Sequence, residues 1–233
     1  MEFAAILLTL LVYGAAGYIW WLFRTPIFLI AILAGHLSAL ASPLWRLLYG
    51  LNYSAGLNTI QAVLGQPIPF SLIVAAGWFY PLPALVVLYL YLTRWWFPGY
   101  LTGMLTYAIF LLYHLLIESL GLRNSLWSYE IAGLPLGLSR PLLTAIMSGL
   151  ISYGLLYLVI NTYRSSWLTM TLTVLPAALL LSLLVHGLLG APIWATLILG
   201  GAGWALALGT ICALGLLAWG VHIVTLGLAR SNG

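Results

Sequence analysis

Charged residues are scarce in this chain, where they make up 4% of 233 residues. A soluble domain carries about 25% charged residues, because these cover the surface that faces water. Hydrophobic residues make up 64% of the chain and the mean hydropathy is +1.13. The composition therefore predicts a protein whose surface mostly faces lipid, and it excludes an ordinary soluble domain.

Lysine and aspartate are absent, and all seven basic residues are arginines. Without a lysine amine, the chain cannot form the Schiff base that rhodopsin-type photochemistry requires. Without aspartate, it lacks the Asp-rich motif through which prenyltransferases hold magnesium diphosphate. Because the arginines are dispersed between apolar runs rather than clustered, they indicate membrane topology and no nucleic-acid partner.

Cysteine and known metal motifs are equally scarce. Cys212 is the single cysteine, so one chain can form neither a disulfide nor a thiol metal cluster. A Gly-rich phosphate loop and an H-E-x-x-H motif are also missing, and we expect no metal site. The first 24 residues lack the basic region and cleavage site of a signal peptide, and they predict a first membrane-spanning helix.

Apolar runs of the length needed to cross a bilayer, about 20 residues each, follow one another along the chain. They cover about 3–23, 26–49, 68–93, 98–121, 139–162, 166–188 and 192–229. The last run is too long for one simple span, and Gly200, Gly201 and Gly203 mark a candidate break. The sequence thus predicts one all-α transmembrane domain over residues 1–233, a helical bundle of about seven helices.

An internal repeat is suggested by the punctuation between these runs. Arg24, Arg94 and Arg164 recur at equal intervals, each with tryptophan nearby, and Gly-x-Pro occurs at 65–67, 133–135 and 190–192. This pattern predicts three helical hairpins, about 3–49, 68–121 and 139–188, and a closing helix; chance punctuation is the alternative. Arginine in short loops favours the cytoplasm. We therefore expect a prokaryotic cytoplasmic membrane, with the N-terminus outside and the C-terminus inside.

Two of the three acidic residues lie between positions 114 and 140. His114 and Glu118 have i, i+4 spacing, which places them on one helix face. An ionisable group at mid-membrane costs about 2.5 to 3.5 kcal/mol, so its presence indicates a function. We predict a polar pocket under the connections 51–67 and 122–138. In it Glu118 would be the general acid and His114 the relay, with His186 or Glu130 assisting.

The same stretch supplies candidate substrate-binding residues. Trp127 and Tyr129 would form an aromatic wall that stabilises positive charge, and Arg123, Asn124 and Arg140 would surround the pocket. The alternative is that His114 and Glu118 only bind a neighbouring helix and hold the bundle together.

A family resemblance rests on this region. Glu118, a short polar linker, Trp127-Ser128-Tyr129, Gly133-Leu134-Pro135 and a following helix resemble the membrane-type lycopene cyclase and carotenoid-hydratase families. At the site where those cyclases have paired carboxylates, this chain has Ser139, Arg140 and Pro141. The resemblance implies a small bundle with internal repeats that acts on an isoprenoid chain by acid-initiated carbocation chemistry. The segment HLLIE is similar to the His-x-x-x-Glu helix of membrane sterol isomerases.

A second pair of residues favours a different class of function. His36 and His222 are expected at equal depth on different helices, where two imidazoles could ligate a haem or a chlorophyll-type pigment. The alternatives are therefore three. The first is a membrane enzyme that cyclises, isomerises or hydrates a lipid or isoprenoid substrate without a cofactor. The second is a pigment- or haem-binding subunit that packs against other subunits of a respiratory or photosynthetic complex. The third is a small transporter.

Overall fold

A computed structural model of the protein describes residues 2–60, 68–130, 133–200 and 203–230. Over these residues the chain is an all-α bundle with seven helical segments that are long and apolar enough to cross a membrane. The predicted transmembrane bundle and its seven spans are thus confirmed. The predicted Gly-x-Pro junction at 65–67 and the candidate break residue Gly201 lie outside the described residues.

Four of the spans are continuous helices and three are interrupted. The continuous ones are α1 (Glu2–Phe23), α6 (Tyr100–Arg123), α7 (Arg140–Thr162) and α11 (Gly203–Arg230). The interrupted spans are built from α2 (Ile27–Ser38) and α3 (Ser42–Tyr49), from α4 (Phe70–Phe79) and α5 (Pro81–Leu92), and from α8 (Trp167–Val174), α9 (Ala177–Ser182) and a π-helix (Leu183–Leu189).

Prolines account for where these spans break. Pro43 lies in the first turn of α3, Pro81 begins α5, and Pro176 precedes α9. Proline has no N–H to donate and its ring crowds the preceding turn, so each proline begins a new helix instead of continuing the old one.

The last apolar run divides as the glycines indicate. A short helix, α10 (Ala191–Ile198), precedes α11, and Gly200 between them has φ of +61°. This left-handed conformation suits glycine, which has no Cβ to clash with the backbone. Only α11 is long enough to span, so the candidate break at Gly200 is confirmed.

The three short turns of the predicted hairpin repeat are alike only in part. Arg24 and Arg94, in the first two short turns, both have positive φ, at 57° and 63°, whereas Arg164 does not share this conformation. In the third turn Ser166 instead caps α8 by accepting from the Thr169 N–H at 3.2 Å. The repeat stays a prediction, as does the orientation of the termini across the membrane.

Helix α7 lies at the centre of the bundle. In its most apolar stretch 78% of the residues are buried, compared with 11% in α1. Helix α7 packs against α5, α6, α9 and α11, while α1 packs against α2 and α4 at the periphery. The continuous helix α6 is the most extensive partner of α7, and these two helices carry much of the site.

Short strands join the two polar connections at one end of the bundle. Strand β1 (Leu51–Tyr53) pairs antiparallel with β4 (Trp127–Tyr129), so that Asn52 faces Ser128. Strands β2 (Thr59–Ile60) and β3 (Ile68–Pro69) form a second antiparallel pair. We call the β1 and β4 pair the lid. The sequence predicts two connections over one pocket, but the strands themselves were not predicted.

Candidate active site

A cavity of about 480 Å³ lies beneath the lid. This volume falls within the range of about 300 to 1,000 Å³ that is typical of small-molecule sites. Its walls come from α3, α4, α6, α7 and the π-helix, with the first turns of α1 at the side. The wall is mainly apolar, and its aromatic members are Trp45, Tyr49, Tyr53, Trp78, Phe79, Tyr80, Trp127 and Tyr129.

Glu118 reaches this cavity from α6, with only 5% of its surface exposed. Its Oε2 atom accepts two hydrogen bonds from the lid: Trp127 Nε1 donates at 3.1 Å and Tyr129 Oη donates at 2.9 Å. Since both donors address the same oxygen, a proton on this carboxyl group resides on Oε1. The lid thus holds the carboxyl in one orientation, with Oε1 as its acidic oxygen.

Tyr129 is held in turn by α7. Its hydroxyl lies 3.0 Å from Thr144 Oγ1, and because Tyr129 donates its proton to Glu118, the Thr144 hydroxyl acts as the donor to Tyr129. Burial, reinforced by the nearby Glu118 carboxyl, raises the pKa of Tyr129 above its ordinary value. Burial also raises the pKa of Tyr53 in the opposite strand. Both phenols are therefore neutral hydrogen-bond donors at physiological pH.

Gly121 lets Trp127 fit against α6. A Cβ atom built at Gly121 would lie 2.0 Å from two carbons of the Trp127 ring, which is far inside van der Waals contact. The glycine lies three residues beyond Glu118, so the same helical turn presents the acid and receives the indole that binds it. A side chain at position 121 would therefore displace the lid from the acid.

The predicted substrate-binding residues next to α6 divide between the cavity and the surface. Asn124 lines the cavity, and its Nδ2 donates to the Leu120 carbonyl at 2.7 Å, at the end of α6. Arg123 is exposed and is not part of the cavity wall. Asn124 caps the C-terminal end of α6, so this helix extends slightly beyond residue 121, where the sequence predicted the end of the fourth span.

Glu130 is bonded to the lid and Arg140 to the end of α3, and neither residue lines the cavity. Glu130 is exposed and directly follows β4. Its Oε1 accepts a hydrogen bond from Nδ2 of Asn52 in β1 at 3.0 Å. Arg140 is buried and donates from Nη1 to the carbonyl of Tyr49, at the end of α3. A cation at this position also stabilises the carbonyl end of a helix. Neither side chain lines the cavity, and their catalytic and substrate-binding roles stay predictions.

His186 lies in the cavity wall, as predicted for a residue near the end of the sixth span. It belongs to the π-helix, and its ring stacks on Trp45 with the centroids 4.9 Å apart. The hydroxyl of Tyr49 donates to the His186 carbonyl at 2.6 Å. Side-chain packing and backbone hydrogen bonding therefore both fix this histidine in place.

His114 occupies a different environment from Glu118, although they are one turn apart. Its side chain is fully buried, and Nε2 lies 2.7 Å from Ser152 Oγ on α7. It packs between the rings of Phe79 and Tyr113, and it does not line the cavity. These contacts match the alternative that His114 holds neighbouring helices together. The relay role stays a prediction.

The two histidines considered for a pigment have separate neighbours. His36 Nδ1 lies 2.7 Å from the Ile73 carbonyl, and its Nε2 faces Gly77, where a Cβ atom would be 2.4 Å away. His222 Nδ1 lies 3.1 Å from Tyr100 Oη. The His36 ring thus packs closely against α4 through both of its nitrogens. Within the described residues, no group of three or more potential metal ligands comes together.

Several cavity residues were not predicted from the sequence. Tyr53 and Tyr80 lie in the wall, together with Ser42 and Ser148. Serines inside strongly apolar helices are a signal that could have indicated them, because a buried hydroxyl needs a partner. The pairing of Tyr53 with Trp127 across the lid left no comparable signal in the sequence.

Comparisons of the chain with family models, with curated proteins and with solved structures found no match. The resemblance to lycopene cyclases and carotenoid hydratases therefore stays a prediction that rests on its quoted residues. A function for this protein must be inferred from the cavity and from the groups that line it.

Proposed function

We propose that the protein is an integral membrane enzyme that binds a lipid or isoprenoid chain in the cavity and protonates it from Glu118. One observation carries the proposal: Glu118 is the only acidic residue among the described residues of the cavity wall, and two lid donors orient it. A polarised acid facing an apolar cavity is the arrangement that transfers a proton to an apolar substrate.

The proposed reaction starts at a carbon–carbon double bond. The O–H bond at Oε1 of Glu118 breaks, a C–H bond forms at one alkene carbon, and the other carbon becomes cationic. Trp127 and Tyr129 stabilise the carboxylate that forms, since both donate to Oε2. Loss of a proton from a neighbouring carbon to the carboxylate restores the acid and leaves an isomerised product. Where a second double bond of the chain first attacks the cationic carbon, a carbon–carbon bond forms, its far carbon becomes cationic, and loss of a proton next to that carbon leaves a cyclised product. No electron transfer is needed.

The aromatic wall suits a cationic intermediate. Faces of tryptophan, tyrosine and phenylalanine attract cations by about 0.5 to 2 kcal/mol, and more where water is excluded. Trp45, Phe79 and Trp127 contribute such rings to the cavity. In this scheme His114 positions α6 against α7 through Ser152, and Glu118 alone transfers the proton.

Deuterium incorporation provides a test that does not require the natural substrate. Protein in liposomes prepared in D₂O would receive farnesol, squalene or lycopene as probes, and carbon-bound deuterium would be measured by mass spectrometry. We expect incorporation into at least one probe, because protonation of an alkene followed by loss of a proton exchanges hydrogen on carbon. Glu118→Gln should reduce incorporation by about 100-fold or more, the usual contribution of a general acid.

Glu130→Gln is the matched control, because Glu130 lies outside the cavity wall and the side-chain oxygen of glutamine can still accept the hydrogen bond from Asn52 in the lid. It should retain the incorporation of the original protein. Incorporation that persists in Glu118→Gln, or that falls equally in both variants, would rule out the assigned acid. No incorporation into any probe with the original protein would count against alkene protonation itself.

A further inference from the structure

A cluster of polar groups lies in the cavity wall apart from the carboxyl and its lid donors. It contains Ser42, Tyr53, Tyr80, Ser148 and His186, and we call it the polar cluster. Of these, Ser42, Ser148 and His186 are at least nine-tenths buried, with 7%, 1% and 5% of their surfaces exposed. The three come from α3, α7 and the π-helix, so the cluster is assembled only by the tertiary fold.

The hydrogen-bonding capacity of this cluster is only partly used. Ser42 Oγ, Ser148 Oγ and His186 Nδ1 are buried atoms without a properly oriented partner among the described residues. The hydroxyls of Ser42 and Ser148 interact with those of Tyr53 and Tyr80, but neither contact has the geometry of a full hydrogen bond. Buried polar atoms nearly always have hydrogen-bond partners. Several buried atoms without one in the same cavity therefore favour binding of a polar group of a ligand there.

The π-helix supports the same interpretation. Its closing bond runs from the Gly190 N–H to the Val185 carbonyl at 2.9 Å, one residue wider than an α-helical bond. Wide turns of this kind are rare and frequently occur at functional sites. Here the wide turn carries His186, whose ring is fixed by stacking on Trp45. The ring also interacts with the Ser182 backbone, but Nδ1 has no fully formed hydrogen bond among the described residues, so this imidazole can still bind a ligand group.

The charges of the wall restrict what that ligand can be. No arginine is among the described residues that line the cavity, and its one acidic group is Glu118. Arg46 and Arg140 act on tyrosines of the wall from outside the cavity. A carboxylate or phosphate in the cavity would lose its hydration without direct contact with either cation, so an anion is disfavoured. Serine and tyrosine hydroxyls both donate and accept, which suits a neutral oxygen.

We propose that the polar cluster binds a neutral hydroxyl or carbonyl group of the ligand, so that the substrate is an oxygenated isoprenoid or lipid rather than a pure hydrocarbon. This inference rests on the proposed function, since it assumes that the same cavity binds the substrate. The oxygen lies against Ser42, Ser148 and His186, while the apolar chain contacts the aromatic wall and reaches Glu118.

A competition between ligands of one carbon skeleton tests the inference. Protein in lipid nanodiscs would be equilibrated with equal amounts of farnesol, farnesal, farnesoic acid and farnesene, and bound ligands would be quantified by mass spectrometry. Empty nanodiscs give the partition into lipid, which is subtracted. We expect farnesol or farnesal to be enriched over farnesene by at least about fivefold, the factor that one net hydrogen bond provides. Enrichment of farnesol alone assigns a hydroxyl, and enrichment of farnesal alone assigns a carbonyl.

The double variant Ser42→Ala/Ser148→Ala should lose this enrichment, while Ser119→Ala should keep it, because Ser119 is exposed and bonds only to the Leu115 carbonyl. Glu118→Gln should also keep the enrichment, which separates binding of the oxygen from proton transfer. Equal retention of farnesene and the oxygenated ligands by the original protein would overturn the inference, and water would then satisfy the cluster. Enrichment that survives in the double variant, or preferential retention of farnesoic acid, would also overturn it.

Discussion

The two ends of the α6 and α7 pair are packed in contrasting ways. At the end away from the lid, Gly103 of α6 lies so close to α7 and α11 that a Cβ atom would be 2.6 Å from Tyr153 Oη. The Tyr153 hydroxyl is paired with Thr225 Oγ1 at 3.0 Å. At the lid end the same two helices border a cavity of about 480 Å³ with unpartnered polar atoms.

This difference separates a closely packed end of the bundle from an end that contains the cavity of the proposed function. Close packing with satisfied hydroxyls is what a bundle needs to hold together in lipid. A cavity with an isolated acid and orphan polar atoms lowers stability, and proteins retain such features mainly at functional sites. Substitutions at the two ends should therefore separate the two properties.

The largest expected effect is that of Gly121→Val at the lid end. The new side chain would occupy the place of the Trp127 ring and move the lid away from Glu118. Misplacement of a catalytic group by about 1 Å can cost about 100-fold in rate, and we expect a loss of that order in deuterium incorporation. Gly133→Ala is the control, since a Cβ atom there meets nothing within 4 Å. Unchanged incorporation in Gly121→Val would show that the lid contact is dispensable.

Tyr129→Phe should have an intermediate effect. It removes one of the two donors to Glu118 Oε2 but keeps the aromatic ring, so incorporation should fall by about tenfold, as expected for one hydrogen bond to a developing charge. Tyr100→Phe removes a hydroxyl that binds His222, outside the cavity wall. A comparable rate loss in both variants would contradict the difference between the two ends.

Gly103→Ala should affect stability but not chemistry. The added methyl group would press on Tyr153 and Thr225, and overpacking of this kind costs about 1 to 3 kcal/mol. We expect a lower midpoint of thermal unfolding in detergent, with incorporation per folded molecule retained. Gly215→Ala in α11, where a Cβ atom meets nothing within 4 Å, should not lower the midpoint. A selective loss of incorporation in Gly103→Ala would show that packing at the end away from the lid also affects the reaction.

His114→Gln should have the smallest effect on the reaction. Glutamine can still hydrogen-bond to Ser152, so α6 and α7 stay joined and incorporation should remain close to that of the original protein. A true proton relay would lose about 100-fold or more on this substitution, because glutamine does not titrate in the physiological range. Deuterium incorporation in the two proteins, measured beside Glu118→Gln, decides between these outcomes.

The spans could be predicted because lipid imposes a simple requirement on the sequence. Each run had to be apolar and about 20 residues long, and prolines and glycines marked its limits, as at Pro26 before α2 and Gly200 before α11. The strands of the lid escaped prediction because each has three residues. A strand this short depends on a partner that is distant in the sequence, and no local periodicity reports it.

The site was predicted in part. Glu118, Trp127 and Tyr129 lie close together in the sequence, and the structure joins them by two hydrogen bonds. His186 was assigned to the pocket by its expected depth, and it lines the cavity, while its assisting role stays a prediction. For His114, helical spacing gave the correct turn, but the ring points to Ser152 on α7. Spacing on one helix does not specify which neighbouring helix each side chain meets.

The sequence by itself determined that this protein is a helical membrane bundle with a rare acid in its fourth span, since composition and run length follow directly from the bilayer. The tertiary structure decided which groups meet that acid. The pairing of β1 with β4 places the Trp127 and Tyr129 donors over Glu118, and the packing of α3, α7 and the π-helix assembles Ser42, Ser148 and His186. The β1 and β4 pairing and the packing of these helices join segments that are distant in the chain, so no local pattern in the sequence fixes them.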